Sequence, residues 1–238
     1  MDKIICIVGP TASGKTGLAI ELAKRIDAEV ISADSMQIYK GLDVGTAKVT
    51  KEEADGIPHH LIDICNIEDK FSVADFKQMC YDKIEEIRSR GKNVIIAGGT
   101  GLYVNAVVYN MNFNEEDVDY NYRKELENIA KEKGNDYLHS MLENIDPQTA
   151  KQIHKNNVKR VIRAIEMAKN VKLKSIHMSE EKERIKNEKN KYDFLVFCIE
   201  QEREYLYNRI NLRVDLMLKD GILDEAKKVY DMKLPEDN

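Results

Sequence analysis

The sequence predicts an α/β fold in which helices flank a parallel sheet and an all-helical insertion interrupts the chain. Short apolar runs alternate with helical patterns, as is typical of parallel strands that are buried on both faces. A glycine-rich turn joins the first apolar run to the first helical pattern. Between about residues 112 and 191 the chain is charged and helix-forming, and no convincing strand signal interrupts it.

Four strands are predicted, each from a short apolar run. In chain order they are Ile4–Val8, Glu29–Ser32, Val94–Ala97 and Phe194–Ile199. The clearest helix lies between the second and third strands, where apolar residues recur at helical spacing. Its start is marked by the cap-like pair Ser72 and Asp75, and its end by Gly91.

The strand pattern resumes after the charged region, which divides the chain into two parts. Residues 1–112 and 191–238 are predicted to form the α/β core, and residues 113–190 the helical insertion. Within the insertion, Asp146-Pro147 is typical of a helix cap followed by a first-turn proline. Residues 180–191 are charge-dense and are predicted to form a solvated helix or linker.

The bulk composition excludes a general binder of polyanions. The chain has 238 residues and a formal net charge of −5, so any nucleic-acid surface must be a local patch. Its four cysteines form no C-x-x-C pair, and Cys6 and Cys198 lie in apolar runs, so we expect reduced core thiols. No apolar run approaches the length of a membrane span, and we expect a cytoplasmic monomer.

The segment GPTASGKT matches the phosphate-binding pattern G-x-x-x-x-G-K-[ST] between a predicted strand and a predicted helix. Backbone amides and a helix N-terminus converge on an anion in such a loop, and its glycines permit the turn. Lys15 supplies a cation, and Thr16 is placed to hold Mg²⁺. The pattern predicts a P-loop NTPase-like fold that binds a di- or triphosphate; the alternative is an ordinary glycine turn before a helix. The predicted phosphate-binding residues are Gly9, Pro10, Thr11, Ala12, Ser13, Gly14, Lys15 and Thr16.

A carboxylate is missing from the position where phosphoryl-transfer enzymes of this kind usually hold Mg²⁺. The third predicted strand runs into Gly98-Gly99-Thr100 without one, and Asp63 is a weak substitute, which disfavours ATP hydrolysis. Asp34, by contrast, follows the second predicted strand, where parallel sheets place ligand-binding residues. We therefore expect Asp34 beside the phosphate loop, with a helix N-cap as its alternative interpretation.

Two arginines four residues apart share one face of the predicted helix Glu202–Lys219. Like charges at that spacing are destabilising, and no acidic residue lies three or four positions from Arg209 or Arg213. Beside them runs an apolar stripe of Leu206, Ile210, Val214 and Leu218. We expect the pair to clamp an anion, either diphosphate or RNA phosphate, and the alternative is two solvated arginines.

Five segments together resemble the tRNA dimethylallyltransferase family, also called tRNA isopentenyl-pyrophosphate transferase. They are GPTASGKT (9–16), ISADSMQIYKGLDVGTAK (31–48), PHHLID (58–63), GGTGLY (98–103) and HKNNVKRVIRAIE (154–166). They occur in order over nearly the whole chain, and the second is far more specific than the phosphate loop. Members of that family usually continue beyond the length of this chain, so the resemblance also implies missing core and tRNA contacts.

The resemblance implies transfer of a dimethylallyl group from dimethylallyl diphosphate to the exocyclic amine of the adenosine adjacent to the tRNA anticodon. Lys15, the loop amides and Mg²⁺, held by Thr16, would stabilise the leaving diphosphate. Asp34 would accept the proton of the amine as attack proceeds. Thr100 resembles a family position that contacts the substrate at the reaction centre, and a helix N-cap is its other interpretation.

A concentration of basic residues between Lys151 and His177 is the expected tRNA surface, since the chain as a whole is acidic. Its members are Lys151, Lys155, Lys159, Arg160, Arg163, Lys169, Lys172 and Lys174, opposed only by Glu166. The resemblance assigns tRNA contacts to Asp34, Ser35, Met36, Gln37, Thr100, Arg123, Lys159, Arg160, Val161, Ile162 and Arg163. Arg163 can instead pair with Glu166, and Arg123 with Glu127. Because the target base must leave its stack to reach the site, the implied partner is the anticodon stem-loop.

Three other functions remain open from the sequence. A P-loop kinase of a small metabolite or nucleoside shares the phosphate loop but does not need the basic insertion. An adenylate isopentenyltransferase prenylates free nucleotides, which the basic region disfavours. A non-catalytic nucleotide- or RNA-binding module is the third. His59 and His60 lack a third ligand at suitable spacing and are not predicted to bind a metal.

Overall fold

The structure is a computed structural model that describes residues 3–113, 120–169 and 190–234. The chain forms two compact units. One consists of residues 1–111 and 190–238 and contains the sheet, so we call it the sheet unit. The other consists of residues 112–189 and is called the helical unit.

The elements follow one another in the order expected of an α/β chain with a helical insertion. The strands are β1 (Lys3–Val8), β2 (Ala28–Ser32), β3 (His59–His60), β4 (Asn93–Gly98) and β5 (Asp193–Cys198). The first helices of the sheet unit are α1 (Lys15–Ile26), α2 (Lys51–Ala54), α3 (Val73–Ser89) and α4 (Gly101–Val108). The described helices of the helical unit are α5 (Tyr120–Lys133), α6 (Asn135–Ile145), α7 (Pro147–Ala150) and α8 (Val158–Lys169). The sheet unit then continues with α9 (Arg203–Lys219) and α10 (Ile222–Asp231).

The predicted parallel sheet flanked by helices is confirmed. The strand order is β3-β2-β4-β1-β5, and β4 pairs in parallel with both β1 and β2. Side chains alternate between two apolar layers: Ile4 and Cys6 pack with α3 and α4, whereas Ile7 packs with α1. No helix within the described ranges is long and apolar enough to cross a membrane.

The start of α3 shows how the local sequence sets a helix boundary. The Ser72 side chain accepts a hydrogen bond from the amide of Asp75, and the Asp75 carboxylate accepts one from the amide of Ser72. The predicted capping box is therefore present. The four apolar residues that follow at helical spacing, from Phe76 to Ile87, are fully buried and form the inner face of α3.

Two features of the sheet differ from the sequence predictions. Cys6 is buried in β1, but Cys198 is exposed, so the prediction that it is a core thiol is wrong. Cys198 ends β5, an edge strand with a single neighbour, and Phe197 beside it is 55% exposed. The short strand β3 was not predicted, because two adjacent histidines carry no periodic signal.

The described helical unit packs around an apolar core of its own. Its fully buried side chains include Leu126, Leu138, Leu142, Val161 and Ile165. Asp146 caps α7 by accepting a hydrogen bond from the amide of Thr149, and Pro147 occupies the first turn, as the sequence predicts. The charge-dense segment predicted at 180–191 falls mostly outside the described residues.

Asn190 marks the point where the chain re-enters the sheet unit. Its side-chain amide donates to the carbonyl oxygens of Val107 at 3.0 Å and Val108 at 3.1 Å, at the end of α4. The Tyr81 hydroxyl donates to the Val107 carbonyl oxygen at 2.9 Å and lies 3.2 Å from Asn190 Oδ1. These bonds join the end of α4 to the residue at which the sheet unit resumes.

Candidate functional site

The predicted site residues of the sheet unit follow the carboxyl ends of three adjacent strands. β1 leads into the phosphate loop, Gly9–Thr16, β2 leads into Asp34, and β4 leads into Gly98–Thr100. Because β4 pairs with both β1 and β2, the three segments emerge at the same edge of the sheet. A Cβ placed on Gly99 would lie 3.9 Å from Lys15 Nζ, so the β4 segment lies close to the phosphate loop.

The phosphate loop is shaped by left-handed backbone angles and by a close approach. Gly14 has φ of +94° just before α1, and Ala12 has φ of +60°. A Cβ on Gly9 would lie 3.0 Å from both the carbonyl oxygen of Ile199 and Ser13 Oγ, so the position favours glycine. The buried Ser13 hydroxyl has no hydrogen-bond partner within the described chain. The loop therefore presents the free amides of a helix N-terminus together with an unused hydroxyl donor.

Lys15 is held over the phosphate loop by backbone carbonyls. Its Nζ donates to the carbonyl oxygens of Gly9 at 2.9 Å and Pro10 at 2.7 Å. Burial lowers the pKa of Lys15 and nearby Arg213 lowers it further, whereas Asp34 acts in the opposite direction. Lys15, Arg213 and Asp34 therefore share one electrostatic environment, although they come from three separate segments.

The turn after β2 begins at Asp34 and uses one of its two carboxylate oxygens. Oδ1 accepts hydrogen bonds from the amides of Met36 at 2.9 Å and Gln37 at 3.4 Å. Asp34 thus caps a turn. Its alternative interpretation is a helix N-cap, but no helix starts at this turn. Oδ2 makes no hydrogen bond to any described residue. One oxygen therefore orients the carboxylate, and the other is available to accept a proton.

Thr100 occupies the N-cap position of α4, as its alternative interpretation has it, but its hydroxyl makes no capping hydrogen bond. Thr100 Oγ1 instead accepts a hydrogen bond from the amide of Ser35 at 2.9 Å, because the end of β4 lies directly beside the turn after β2. A Cβ on Gly98 would lie 2.2 Å from the carbonyl oxygen of Ala33, so this close approach requires glycine. Thr100 therefore helps to hold the turn that carries Asp34.

The arginine pair of α9 lies against the phosphate loop. Arg209 Nε donates to the carbonyl oxygen of Ala12 at 2.8 Å, and its Nη1 donates to the Tyr205 hydroxyl at 3.2 Å. Arg213 is half-buried and close enough to Lys15 to lower its pKa. Arg209 is exposed but bonded to the loop, and Arg213 acts on Lys15, so both lie where the predicted anion clamp requires them.

The apolar stripe predicted beside the arginines is only partly correct. Leu206 and Ile210 are half-buried, as expected, but Val214 and Leu218 are 48% and 52% exposed. Met217 is half-buried instead, because the partly buried face of α9 follows positions 206, 210, 213 and 217. The predicted helix is therefore present, but Arg213 and Met217, and not Val214 and Leu218, continue its covered face after Ile210.

Other polar residues that the sequence singles out make structural contacts. Asp63, the weak substitute for a Mg²⁺ ligand, accepts a hydrogen bond from Lys48 Nζ at 2.5 Å. His60 Nε2 lies 2.6 Å from a carboxylate oxygen of Glu29, and His59 Nδ1 lies 2.9 Å from a backbone carbonyl oxygen. Among the described residues, no group of three or more His, Cys, Asp or Glu side chains is arranged to hold a metal ion.

In the helical unit, the predicted tRNA-binding segment of α8 has an exposed face and a buried face. Lys159 and Arg160 are exposed. Val161 and Ile162 are only 0% and 2% exposed and pack into the core of the unit, so their assignment to a tRNA surface is wrong. The physical reason is helical periodicity, because consecutive residues of an amphipathic helix point in different directions.

A buried carboxylate organises two of the predicted tRNA-binding arginines. Glu166 is 2% exposed and accepts hydrogen bonds from Arg123 Nε at 2.9 Å and Nη2 at 2.8 Å. Arg163 Nη1 lies 3.5 Å from the same carboxylate, as helical spacing suggested. The partner of Arg123 is therefore Glu166 of a different helix and not Glu127. Local spacing could not reveal this pairing, since α5 and α8 are distant in sequence.

The basic region carries less unpaired charge than its sequence suggests. Lys155 pairs with Asp136 of α6 at 2.5 Å, a partner from outside the segment in which Glu166 is the only acidic residue. Lys172 and Lys174 lie outside the described residues. The basic surface that the structure describes is therefore concentrated on the outer face of α8.

One contact of the sheet unit was missed entirely. Glu225 of α10 accepts hydrogen bonds from the backbone amides of Asp43, Val44 and Gly45, in the loop that follows the Asp34 turn. A glutamate in a polar helical segment forms no motif, and its partners lie about 180 residues earlier in the chain. No local signal could have identified this contact.

Comparisons with known proteins agree on one family. The IPP transferase family model matches residues 37–238. A relative from Acetivibrio thermocellus, named tRNA dimethylallyltransferase, is 53% identical over 232 residues, which are 98% of this chain and 73% of that protein. The tRNA isopentenylpyrophosphate transferase structure from Bacillus halodurans is 46% identical with a TM-score of 0.66, over 99% of this chain and 72% of that one. A eukaryotic dimethylallyltransferase structure, described as acting on tRNA, is 32% identical with a TM-score of 0.75, over 99% of this chain and 58% of that one.

Proposed function

Because the chain belongs to the IPP transferase family, we propose that it transfers a dimethylallyl group from dimethylallyl diphosphate to the exocyclic amine of the adenosine adjacent to the tRNA anticodon. The observation that carries this proposal is the meeting of a phosphate loop and the Asp34 carboxylate at one edge of the sheet. The loop suits a leaving diphosphate, and the carboxylate suits an attacking amine. The names of the relatives supply the transferred group and its acceptor.

The phosphate loop binds the diphosphate of the donor in this proposal. As the bond between the allylic carbon and the diphosphate oxygen breaks, the electron pair and negative charge pass to the diphosphate. The amides at the start of α1, Lys15 and the arginine pair of α9 would stabilise that charge, and their location in and against the loop supports this role. Arg209 also braces the loop through the carbonyl of Ala12.

Mg²⁺ is the proposed metal ion of the reaction. The protein ligand that the loop offers is the Thr16 hydroxyl, which is exposed in the first turn of α1. This sparse donor set fits a Mg²⁺ ion that keeps several waters and takes other ligands from substrate phosphates. When bound, Mg²⁺ neutralises charge on the leaving diphosphate.

Asp34 is the proposed general base. The exocyclic amine of adenine is a weak nucleophile because its lone pair is delocalised into the ring, so its proton must leave as the new bond forms. The amides of Met36 and Gln37 hold Oδ1, and Oδ2 would accept the proton. Thr100 supports the same geometry through the amide of Ser35.

The tRNA is proposed to contact both units. Exposed Lys159 and Arg160 would bind phosphates of the anticodon stem. The reaction is proposed to take place in the cytoplasm. Ser35, Met36 and Gln37 would contact the target base after it leaves its stack, and Met36 is 49% exposed. Arg123 and Arg163 would also contact the tRNA, and the buried Glu166 carboxylate that both approach would hold them in place.

The reaction is tested by incubating the chain with labelled dimethylallyl diphosphate, Mg²⁺ and unmodified tRNA. We expect label in the tRNA and release of one pyrophosphate for each label incorporated. Label in free AMP and not in tRNA would identify an adenylate isopentenyltransferase. Phosphate transfer from ATP would identify a kinase, and binding without transfer would identify a non-catalytic module. Each of these three results would contradict the proposal.

A further inference from the structure

We propose that Glu225 positions the acceptor side of the active site by holding residues 41–48, here called the acceptor loop, in their observed conformation. This inference rests on the function proposed above, because it assigns the acceptor loop to the side that receives tRNA. Glu225 acts through the loop, so its role is positioning rather than catalytic.

The contact is a carboxylate held by three consecutive amides. Glu225 Oε2 accepts hydrogen bonds from the amides of Asp43 at 2.7 Å and Val44 at 2.8 Å, and Oε1 accepts one from Gly45 at 2.9 Å. Successive amides that turn to one side form an anion-binding concavity, and bonds to an ionised acceptor are stronger than neutral ones. A Cβ on Gly45 would lie 3.2 Å from Oε1, so glycine lets the carboxylate approach.

An apolar side chain and a cavity lie beside the hydrogen bonds of Glu225. Ile222 lies one turn before Glu225, and its Cδ1 is 3.7 Å from the position of a Cβ on Gly45. Beside this contact, Val44 and Val229 line a cavity of about 440 Å³. The three hydrogen bonds accepted by Glu225 are therefore the polar contact by which α10 holds the acceptor loop.

The acceptor loop is bonded in turn to the segment that begins at Asp34. Gln37 Nε2 donates to the carbonyl oxygen of Thr46 at 3.2 Å. Lys48, whose side chain is only 6% exposed, donates from Nζ to the carbonyl oxygen of Tyr39 at 2.6 Å. A shift of the loop would therefore move the residues proposed to hold the target base, and with them the proposed general base.

If Glu225 positions the acceptor loop, its replacement should reduce different activities than if its role is purely structural. A displaced acceptor loop reduces transfer to tRNA but leaves the phosphate loop intact, because Glu225 bonds to the acceptor loop and Gly9–Thr16 is supported by Arg209 instead. A structural role lowers the folded fraction and reduces donor binding and transfer together. The comparison of pyrophosphate affinity with transfer separates the two.

The experiment compares Glu225→Gln with Asp224→Asn in the full chain. Both remove one acidic charge from adjacent positions of α10, but Asp224 has no hydrogen bond to the acceptor loop within the described residues. We expect Glu225→Gln to lower kcat/KM for tRNA by at least about tenfold, because a small misplacement of reacting groups is costly. Its Kd for inorganic pyrophosphate should be unchanged, and Asp224→Asn should alter neither value.

Amide hydrogen exchange of residues 43–45 reports the contact without reference to activity. Glu225→Gln should accelerate exchange at these amides, and so should Gly45→Ala, which crowds the carboxylate without altering α10. Parallel losses of transfer and pyrophosphate affinity, or unchanged exchange and transfer in both variants, would overturn the proposal. A wild-type chain that transfers no prenyl group to tRNA would refute the proposed function instead, and the exchange rates would still decide whether Glu225 holds the loop.

Discussion

At the scale of single residues, Asp34 combines two properties that can be separated. Its Oδ1 accepts hydrogen bonds from the amides of Met36 and Gln37, which shapes the turn after β2. Its Oδ2 makes no hydrogen bond within the described chain and is the proposed proton acceptor. An asparagine keeps an oxygen for the first role but lacks the basicity that the second role needs.

We expect Asp34→Asn to abolish most of the transfer while preserving the turn. The rate of prenyl transfer in a single turnover should fall by at least about 10²-fold, the usual contribution of a positioned base. Pyrophosphate affinity should not fall, since no hydrogen bond joins Asp34 to the phosphate loop within the described residues and the variant removes a negative charge near Lys15. Rapid-quench measurement with labelled dimethylallyl diphosphate and pyrophosphate titration provide the two values.

The matched variant Asp34→Ala removes both properties. It should lose transfer as Asp34→Asn does and also lose about 1 kcal/mol of stability, the typical contribution of a side-chain cap. If Asp34→Asn transferred the prenyl group at the rate of the unaltered chain, Asp34 would serve only as a cap and another base would be needed.

At the scale of elements, the two faces of α8 have different roles: the exposed face is proposed to bind tRNA, and the buried face stabilises the helical unit. Lys159 and Arg160 are exposed, whereas Val161 belongs to the core of the helical unit. Replacing both Lys159 and Arg160 with alanine should weaken tRNA binding and reduce the slope of log K against log salt by about one to two, because fewer counterions are released. Binding measured at several salt concentrations checks this.

Val161→Ala is the control for the surface variant. It should destabilise the helical unit by about 2 kcal/mol through lost burial and leave the salt slope as it was. An unaltered slope after removal of Lys159 and Arg160 would exclude this face of α8 from the tRNA interface.

The elements were largely predictable because their signals are local. Apolar runs identified the long strands, and Ser72 with Asp75 identified the start of α3, since a capping box lies within four residues. The two-residue strand β3 escaped prediction because it is formed by pairing with β2 and not by its own composition. The exposure of Cys198 depends on the position of its strand in the sheet, which composition does not encode.

The candidate site was predictable only where its residues follow strand ends. Asp34 and the phosphate loop were placed correctly at one edge, because parallel strands bring such residues together. The pairing of Arg123 with Glu166, and the hold of Glu225 on the acceptor loop, join segments distant in sequence. Such contacts follow from tertiary packing, which no spacing rule anticipates.

At the scale of the whole molecule, a buried ionic cluster links three elements of the sheet unit. Glu29 of β2 is 7% exposed, and its carboxylate is 2.6 Å from His60 of β3 and 2.7 Å from Arg90, just after α3. Burial by itself raises the pKa of Glu29, but the hydrogen bonds from His60 and Arg90 outweigh it and hold that pKa below its usual 4.5.

The lowered pKa of Glu29 predicts a loss of stability in acid. Because the folded pKa is the lower one, the unfolded chain binds the proton first as pH falls. The stabilisation is complete above a pH of about 4.5 and is lost as the pH falls through the folded pKa. Glu29→Gln should therefore flatten the acid part of a stability curve obtained by urea unfolding at a series of pH values.

Glu86→Gln is the appropriate control, because Glu86 pairs with the same Arg90 from a side chain that is 50% exposed. An exposed pair contributes little, so this variant should retain most of the acid dependence. If Glu29→Gln showed the same acid dependence as the unaltered chain, other carboxylates would have to account for it.

The hydrogen bonds of Asn190 to the end of α4 have a consequence for how such enzymes diversify. They tie together the two ends of an interruption, so the intervening stretch can be exchanged, enlarged or grafted without disturbing the strand register. Changes in the length or sequence of that stretch are therefore expected to leave the strands, and the loops that follow them, as they are.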